Sequence, residues 1–223
     1  MKPVHLLLVV TSASRMSTGK ATGLWLEEFA VPYLQFRQSA VRLTVASPAG
    51  GAAPIDPASA AELDAHPEWQ PAVAALAHTD VLSNVHASQF DAVFIPGGHG
   101  CMFDLATSSA MSRLLREFFQ QKKMIAAVCH GPAALVNARD DNELPLVHGK
   151  RLTAFTNAEE RAVALDTSMP FLLESQLREC GARFVAAENF QAHVVRDGWL
   201  ITGQNPASSA VTATLLLQAL AVH

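Results

Sequence analysis

The feature that most constrains this chain is a recurrence of short apolar runs set between longer amphipathic segments. Runs at Val4 to Thr11, Arg42 to Ala46, Ala92 to Pro96, Met124 to Val128 and Arg151 to Ala154 read as strands. Helical patterns intervene at Gly23 to Phe36, Ala106 to Gln121, Pro132 to Ala138, Ala158 to Leu165 and Phe171 to Cys180. Buried strands alternating with helices are what a parallel sheet covered on both faces requires. An open α/β sheet is therefore expected. In Ala106 to Gln121, Leu114, Leu115, Phe118 and Phe119 fall on one face, and Thr107 or Ser108 is available as cap. Near the end, Ala192 to Arg196 and Leu200 to Thr202 flank Asp197-Gly198, a turn-forming pair that predicts a hairpin. Pro206 to Ala221 predicts a closing helix with Asn205 as cap. The stretch 47–85 is rich in Ala, Pro and Asp and has no strand period. It reads as a surface insertion with one or two short helices inside a single domain of residues 1–223.

Half of the 223 residues (50%) are hydrophobic and only 16% are charged, which excludes a disordered or solvated interaction tail. Sixteen Lys plus Arg against twenty Asp plus Glu leave a net charge of −4, so no basic field exists to gather nucleic acid or anionic lipid. Met1-Lys2 followed by Val4 to Val10 has the outline of a secretory signal, but Pro3 and His5 interrupt it and no small-residue cleavage site follows. A buried first strand accounts for it better. Val211 to Val222 falls well short of the roughly 18 to 20 apolar residues that cross a bilayer, so no membrane partner is expected. The three cysteines are odd in number, form no C-x-x-C pair and lack zinc-ligand spacing, which fits a reducing, cytoplasmic setting.

The chemistry-bearing stretch is Met124-Ile-Ala-Ala-Val-Cys129-His130-Gly131-Pro132. A strand ends at Cys129, and a helix is expected to begin after Gly131, where Pro132 is tolerated because its missing N–H is not needed. Ala127 and Gly131 give A-x-C-x-G, the thiol counterpart of the G-x-S-x-G elbow, whose sharp turn leaves little room at both places. The side chain then projects at the carboxyl end of the sheet, where open α/β folds bind ligands. A helix N-terminus there favours thiolate, so partial ionisation of Cys129 at neutral pH is expected. The plainer alternative is a small buried hydrophobe at a strand end.

A second motif, Phe94-Ile-Pro-Gly97-Gly98-His99-Gly100, also follows a strand, and its glycines let backbone N–H groups approach a ligand. It is not a dinucleotide fingerprint, since Phe103 stands where the last glycine would be, and no nicotinamide cofactor is expected. Glu28 lies beside Trp25 and Phe29 and is either at a crevice or on the polar edge of a helix. Glu159 and Glu160 follow Thr156-Asn157, where carboxylates also complement a helix start. His86, His99 and His193 stand singly, so no metal site is expected.

On these stretches, together with Thr22-Gly23 through Pro32-Tyr33, Ala46-Ser-Pro-Ala-Gly-Gly51 with Asp56-Pro57, and Thr202-Gly-Gln-Asn-Pro206, the chain resembles the ThiJ/PfpI superfamily. More narrowly it is similar to the heat-shock-chaperone-like branch that includes cofactor-independent glyoxalase III enzymes. The resemblance implies a flavodoxin-like three-layer sandwich with a mainly parallel central sheet and a small helical insertion. It implies Cys129 as nucleophile, His130 as its neighbouring histidine, Glu28 as the carboxylate at the thiol, and Glu160 as the acidic third member, with Glu159 the adjacent competitor. Gly97 and Gly98 with the His130 amide would form the oxyanion and substrate-binding loop, and His99 would be loop architecture. The implied activity is conversion of methylglyoxal, a small reactive carbonyl, to lactate without cofactor, in a protein that often forms homodimers. Cys101, beside the glycine loop, is a candidate redox partner for Cys129. The competing functions are a cysteine hydrolase or protein deglycase, and a holdase chaperone or oxidative-stress sensor.

Overall fold

The computed structural model describes residues 4–39 and 41–221; Met1-Lys2-Pro3 of the signal-like start and Val222 of the last apolar run lie outside them. In chain order the strands are β1 (His5–Val9), β2 (Arg42–Ser47), β3 (Asp80–Val81), β4 (Ala92–Ile95), β5 (Met124–Val128), β6 (Arg151–Leu152), β7 (Arg183–Phe184), β8 (Val194–Asp197) and β9 (Leu200–Gly203). The α-helices are α1 (Leu26–Gln38), α2 (Pro57–Ala60), α3 (Gln70–Leu76), α4 (Ser109–Gln120), α5 (Asn157–Ala162), α6 (Leu173–Glu179) and α7 (Ser209–Ala221).

Seven strands form the main sheet in the order β3-β2-β1-β4-β5-β9-β8, and every pairing is parallel except the β8–β9 hairpin. Residues of alternate parity face opposite layers, because successive side chains of a strand point to opposite faces. Leu7, Val9, Val93, Ile95, Ile125 and Ala127 pack with α4 and α6 on one side. Leu6, Leu8, Phe94, Ala126 and Val128 pack with α1, α3 and α7 on the other. The result is the expected three-layer α/β sandwich. Chain order reverses between β1 and β4, and the carboxyl ends of β1, β4 and β5 meet there, at the crevice that open sheets use for ligands.

Several expectations need correction. Ser108 is the cap of α4, its Oγ accepting from the Met111 N–H. Pro132 to Ala138 is not an α-helix; a 3-10 turn of five residues, Gly131–Leu135, follows the elbow. Asn205 holds the cap position of a 3-10 turn, Pro206–Ser208, that opens the last helix, but its side chain makes no cap hydrogen bond; its amide donates to Glu159 and to the Gln191 carbonyl instead. The Arg151 strand leaves the main sheet and pairs with β7. Segment 47–85 does carry two short helices, but it also adds β3 to the sheet edge and buries Trp69, Ala72, Leu76 and Leu82. Elements one or two turns long give too few periods to show in the sequence.

Candidate active site

The elbow is built where β5 runs out. Cys129 takes φ 58°, a left-handed conformation that costs a non-glycine residue free energy and persists only where the surroundings enforce it. The enforcement is visible: the Cys129 N–H donates to the Gly203 carbonyl of β9, and its own carbonyl accepts from Phe155. Gly131 sits against the Ile95 backbone with no space for a Cβ. A Cβ on Gly97 would lie 2.6 Å from the His130 nitrogen. Strands β4, β5 and β9 thus close on this turn from both sides, and only glycine fits at the two tightest points.

The turn aims two consecutive side chains at each other. Cys129 Sγ lies 3.3 Å from His130 Nδ1. Beyond the ring, His130 Nε2 contacts Glu160 Oε2 at 2.7 Å, while His99 Nε2 contacts the other oxygen, Oε1, at 2.8 Å. The three groups are buried and the two imidazoles stack, tilted, with centroids 4.2 Å apart. Burial pushes the Glu160 carboxyl up, but the hydrogen bonds from His130 and then His99 outweigh it and hold it at about 2. A carboxylate only accepts, so both Nε2 atoms carry hydrogen and His130 Nδ1 faces the thiol as a bare lone pair. Burial, followed by the charge of His99, pulls His130 below its ordinary range.

Glu28 reaches the thiol from α1. Its Oε2 accepts the Gly97 N–H at 2.7 Å. Oε1 has no hydrogen-bond partner of standard geometry and couples to the Cys129 thiol. Burial drives the Glu28 carboxyl up to about 8 against the lowering contacts of Cys129 and Gly97. The Cys129 thiol is itself pushed far up, first by burial and then by the Glu28 charge. The partial ionisation expected from a helix N-terminus is therefore corrected: the following 3-10 turn is too short to offset desolvation. Where Glu28 holds its proton, its share of that elevation disappears, and burial, the largest cause, still keeps the thiol protonated.

The backbone donors divide. Gly97, expected in the substrate-binding loop, has given its N–H to Glu28 and is a clamp on that carboxyl. Among the described residues, the N–H groups of Gly98 and His130 donate to no protein acceptor. Glu160, not Glu159, meets His130. Glu159 closes a capping box at the start of α5 with Thr156, and its Oε1 accepts from the Phe190 N–H, Gln204 and Asn205 at 2.8 to 3.1 Å. The next residue, a helical step of about 100° away, turns to the histidines.

His99 is the residue whose place the motif left unrecognised. Read as loop architecture, it is in contact with Glu160; its signal was an imidazole lodged between glycines at the end of a buried strand. His99, His130 and Glu160 offer three ligand atoms within 4.8 Å of one another, but a cation would have to displace the protons of both Nε2–carboxylate contacts. Cys101 lies in the core on the opposite face of the sheet from Cys129, its thiol donating to the Pro96 carbonyl, so a crosslink would require the sheet to open. Among the described residues all three cysteines are unpaired and no helix is long and apolar enough to cross a membrane.

Cys129, His130, Glu28 and Gly98 line a cavity of about 180 Å³, walled by Trp25, Phe155, Val163, Phe190 and Pro206. Among the described residues no Lys or Arg lines it. The cavity has room for a small molecule and brings a thiol, an imidazole, a carboxyl and two free amides within reach of it, the groups that addition to an electrophilic carbon requires.

Known proteins share this arrangement's frame. A protein of Schizosaccharomyces pombe called probable glutathione-independent glyoxalase hsp3103 is 33% identical over 61% of this chain, and the match spans only 55% of that relative's length. Glutathione-independent glyoxalase HSP31 of Saccharomyces cerevisiae is 28% identical over 99% of both chains. The crystal structure of glyoxalase III from Candida albicans superposes with a TM-score of 0.86, at 27% identity and with 97% of each chain covered. The profile of the DJ-1/PfpI family matches residues 21–219, and on that match, across nearly the whole sandwich and its elbow, the chain belongs to the DJ-1/PfpI family.

Proposed function

We propose that this protein is a glutathione-independent glyoxalase that converts methylglyoxal to lactate, with Cys129 as nucleophile. The observation that carries the proposal is the thiol held between a bare imidazole nitrogen and a carboxyl of pKa about 8, in a small cavity without cationic side chains. His130 Nδ1 takes the thiol proton as sulfur adds to the aldehyde carbon, C1. The Gly98 and His130 amides hold the developing oxyanion, which then receives that proton to give the hemithioacetal.

Isomerisation follows within the bound substrate. His130 removes the C1 proton while protonated Glu28 donates to the C2 oxygen, giving an enediol. Imidazolium returns its proton to C2 as the C1 hydroxyl returns one to Glu28, leaving a lactoyl thioester. Water cleaves the thioester to lactate and the free thiol. The sum is methylglyoxal plus water to lactic acid, with no external oxidant or reductant.

A high thiol pKa is compatible with this sequence, because the thiolate is generated only as it attacks, and a more basic sulfur is the stronger nucleophile. The relatives' names support the substrate class. Three unpaired cysteines support a reducing, cytoplasmic setting; a homodimer completes the proposal, and sedimentation would test it. Lactate formation without glutathione, measured beside Cys129→Ser, tests the activity. Turnover of amides or glycated amines in place of the aldehyde would replace it with a hydrolase or deglycase, and inactivity with suppressed client aggregation would replace it with a holdase.

A further inference from the structure

The cluster at Glu160 holds one imidazole more than a thiol–imidazole–carboxylate relay requires. We propose that His99 is a positioning residue: its Nε2–H engages Oε1 of Glu160, fixes the carboxylate so that Oε2 meets His130, and shares the negative charge that would otherwise fall on His130 alone. The proposal rests on the glyoxalase reading for its role in turnover, but its structural core does not depend on the substrate.

The geometry carries it. Glu160 lies within hydrogen-bonding distance of both rings, at 2.8 Å and 2.7 Å, and with both oxygens engaged it cannot rotate. His99 approaches from the turn after β4, sixty-one residues away in sequence. Its own placement is dictated by glycines on either side: a Cβ on Gly98 would run into the Gly23–Trp25 backbone, and one on Gly100 would lie 2.7 Å from Thr11. Among the described residues no other protein donor reaches the two carboxylate oxygens of Glu160, in contrast to Glu159, which has several. A buried carboxylate with one oxygen unpaired would either turn away or attract a proton from its surroundings.

His130 is the group on which this acts. The titratable neighbours that face it are His99, Glu160 and Glu159 on the far side and the Cys129 thiol, backed by Glu28, on the near side. Glu160 favours the imidazolium, while burial and His99 oppose it. Dividing one carboxylate between two donors keeps His130 a neutral base with Nδ1 unprotonated.

The test compares His99→Phe, which keeps a ring and removes the donor, with His99→Gln, which restores an N–H toward Oε1. For the Phe variant we expect kcat to fall roughly ten- to a hundredfold with KM changed less than about threefold, and the acid limb of the pH profile to move upward. The Gln variant should recover most of the rate. Ring-nitrogen NMR supplies a readout independent of turnover: wild type should show the Nε2–H form of His130, a result that stands whether or not the Phe variant folds, and the folded Phe variant should show a His130 that titrates at higher pH. A wild-type His130 carrying its proton on Nδ1, an unshifted titration in the Phe variant, or a Gln variant as impaired as Phe overturns the proposal. Wild-type inactivity on methylglyoxal with these NMR signatures intact would sink the substrate reading and leave the positioning role standing.

Discussion

Cys129 and His130 are consecutive in the chain, yet Sγ and Nδ1 face each other at 3.3 Å. In an extended strand they would point to opposite faces of the sheet. The left-handed backbone at Cys129 removes that alternation, and so the strain of the elbow and the contact of thiol with imidazole are one feature. Cys129→Ala should abolish lactate formation while leaving the far-ultraviolet circular dichroism and cooperative melting of the fold intact. Unimpaired turnover would exclude the sulfur from the chemistry.

Glu28 should set an alkaline limit on the site. With its pKa at about 8 against an ordinary 4.5, the folded protein holds a proton there that the unfolded chain has lost. The stability this contributes is fully present below the ordinary value and disappears as pH rises through about 8. Glu28→Gln, uncharged at every pH, should flatten this slope in thermal melts and be the more stable form at alkaline pH by roughly 1–3 kcal/mol. Its kcat should fall by about a hundredfold because it cannot exchange the proton at the substrate oxygen. Wild-type activity should decline on the same alkaline limb. A melt profile identical to wild type would mean that Glu28 is ionised throughout.

Neighbouring carboxyls at the start of α5 should respond in opposite ways. Glu160→Gln cannot present two acceptors to the histidines, and kcat should drop by about a hundredfold or more. The depressed pKa of Glu160 contributes stability above the ordinary 4.5 that is lost as pH falls toward about 2, so acid melts of this variant should show a shallower loss. Glu159→Ala removes the capping box and the acceptor that anchors Phe190, Gln204 and Asn205. It should lower stability by roughly 1–3 kcal/mol in denaturant titrations while kcat changes less than about threefold, with the acid limb moved only slightly down by the loss of a charge that faces His130. The reverse pattern would transfer the relay role to Glu159.

Gly97 tests the packing of the glycine loop on the elbow. A Cβ there would lie 2.6 Å from the His130 nitrogen and 2.7 Å from Glu28 Oε2. Gly97→Ala should destabilise by about 1–3 kcal/mol and cut kcat by more than tenfold, with the pH limb of Glu28 displaced. A silent substitution would show that the loop and the elbow are not in the close contact described.

Much of this architecture was legible in the chain. Buried strands of a parallel sheet carry their own apolar signature, so β1, β2, β4 and β5 stand in the sequence nearly at their final bounds. The elbow is equally local: a strand, a cysteine and a glycine where nothing larger fits. Strands β3 and β7, two residues each, have no local signature and exist because a neighbouring edge was available to pair with.

The order of residues alone carries the inventory: a sheet with helices on both faces, a thiol at the end of a central strand, and carboxyl and imidazole candidates for its surroundings. Tertiary structure alone decided which of them meet. Contacts spanning 69, 61 and 30 residues brought Gly97 to Glu28, His99 to Glu160 and His130 to Glu160, and no periodicity in a chain encodes pairs so far apart. Protonation was settled at the same level, because ionising a thiol or a carboxyl depends on how much water and which charges the finished fold leaves beside it.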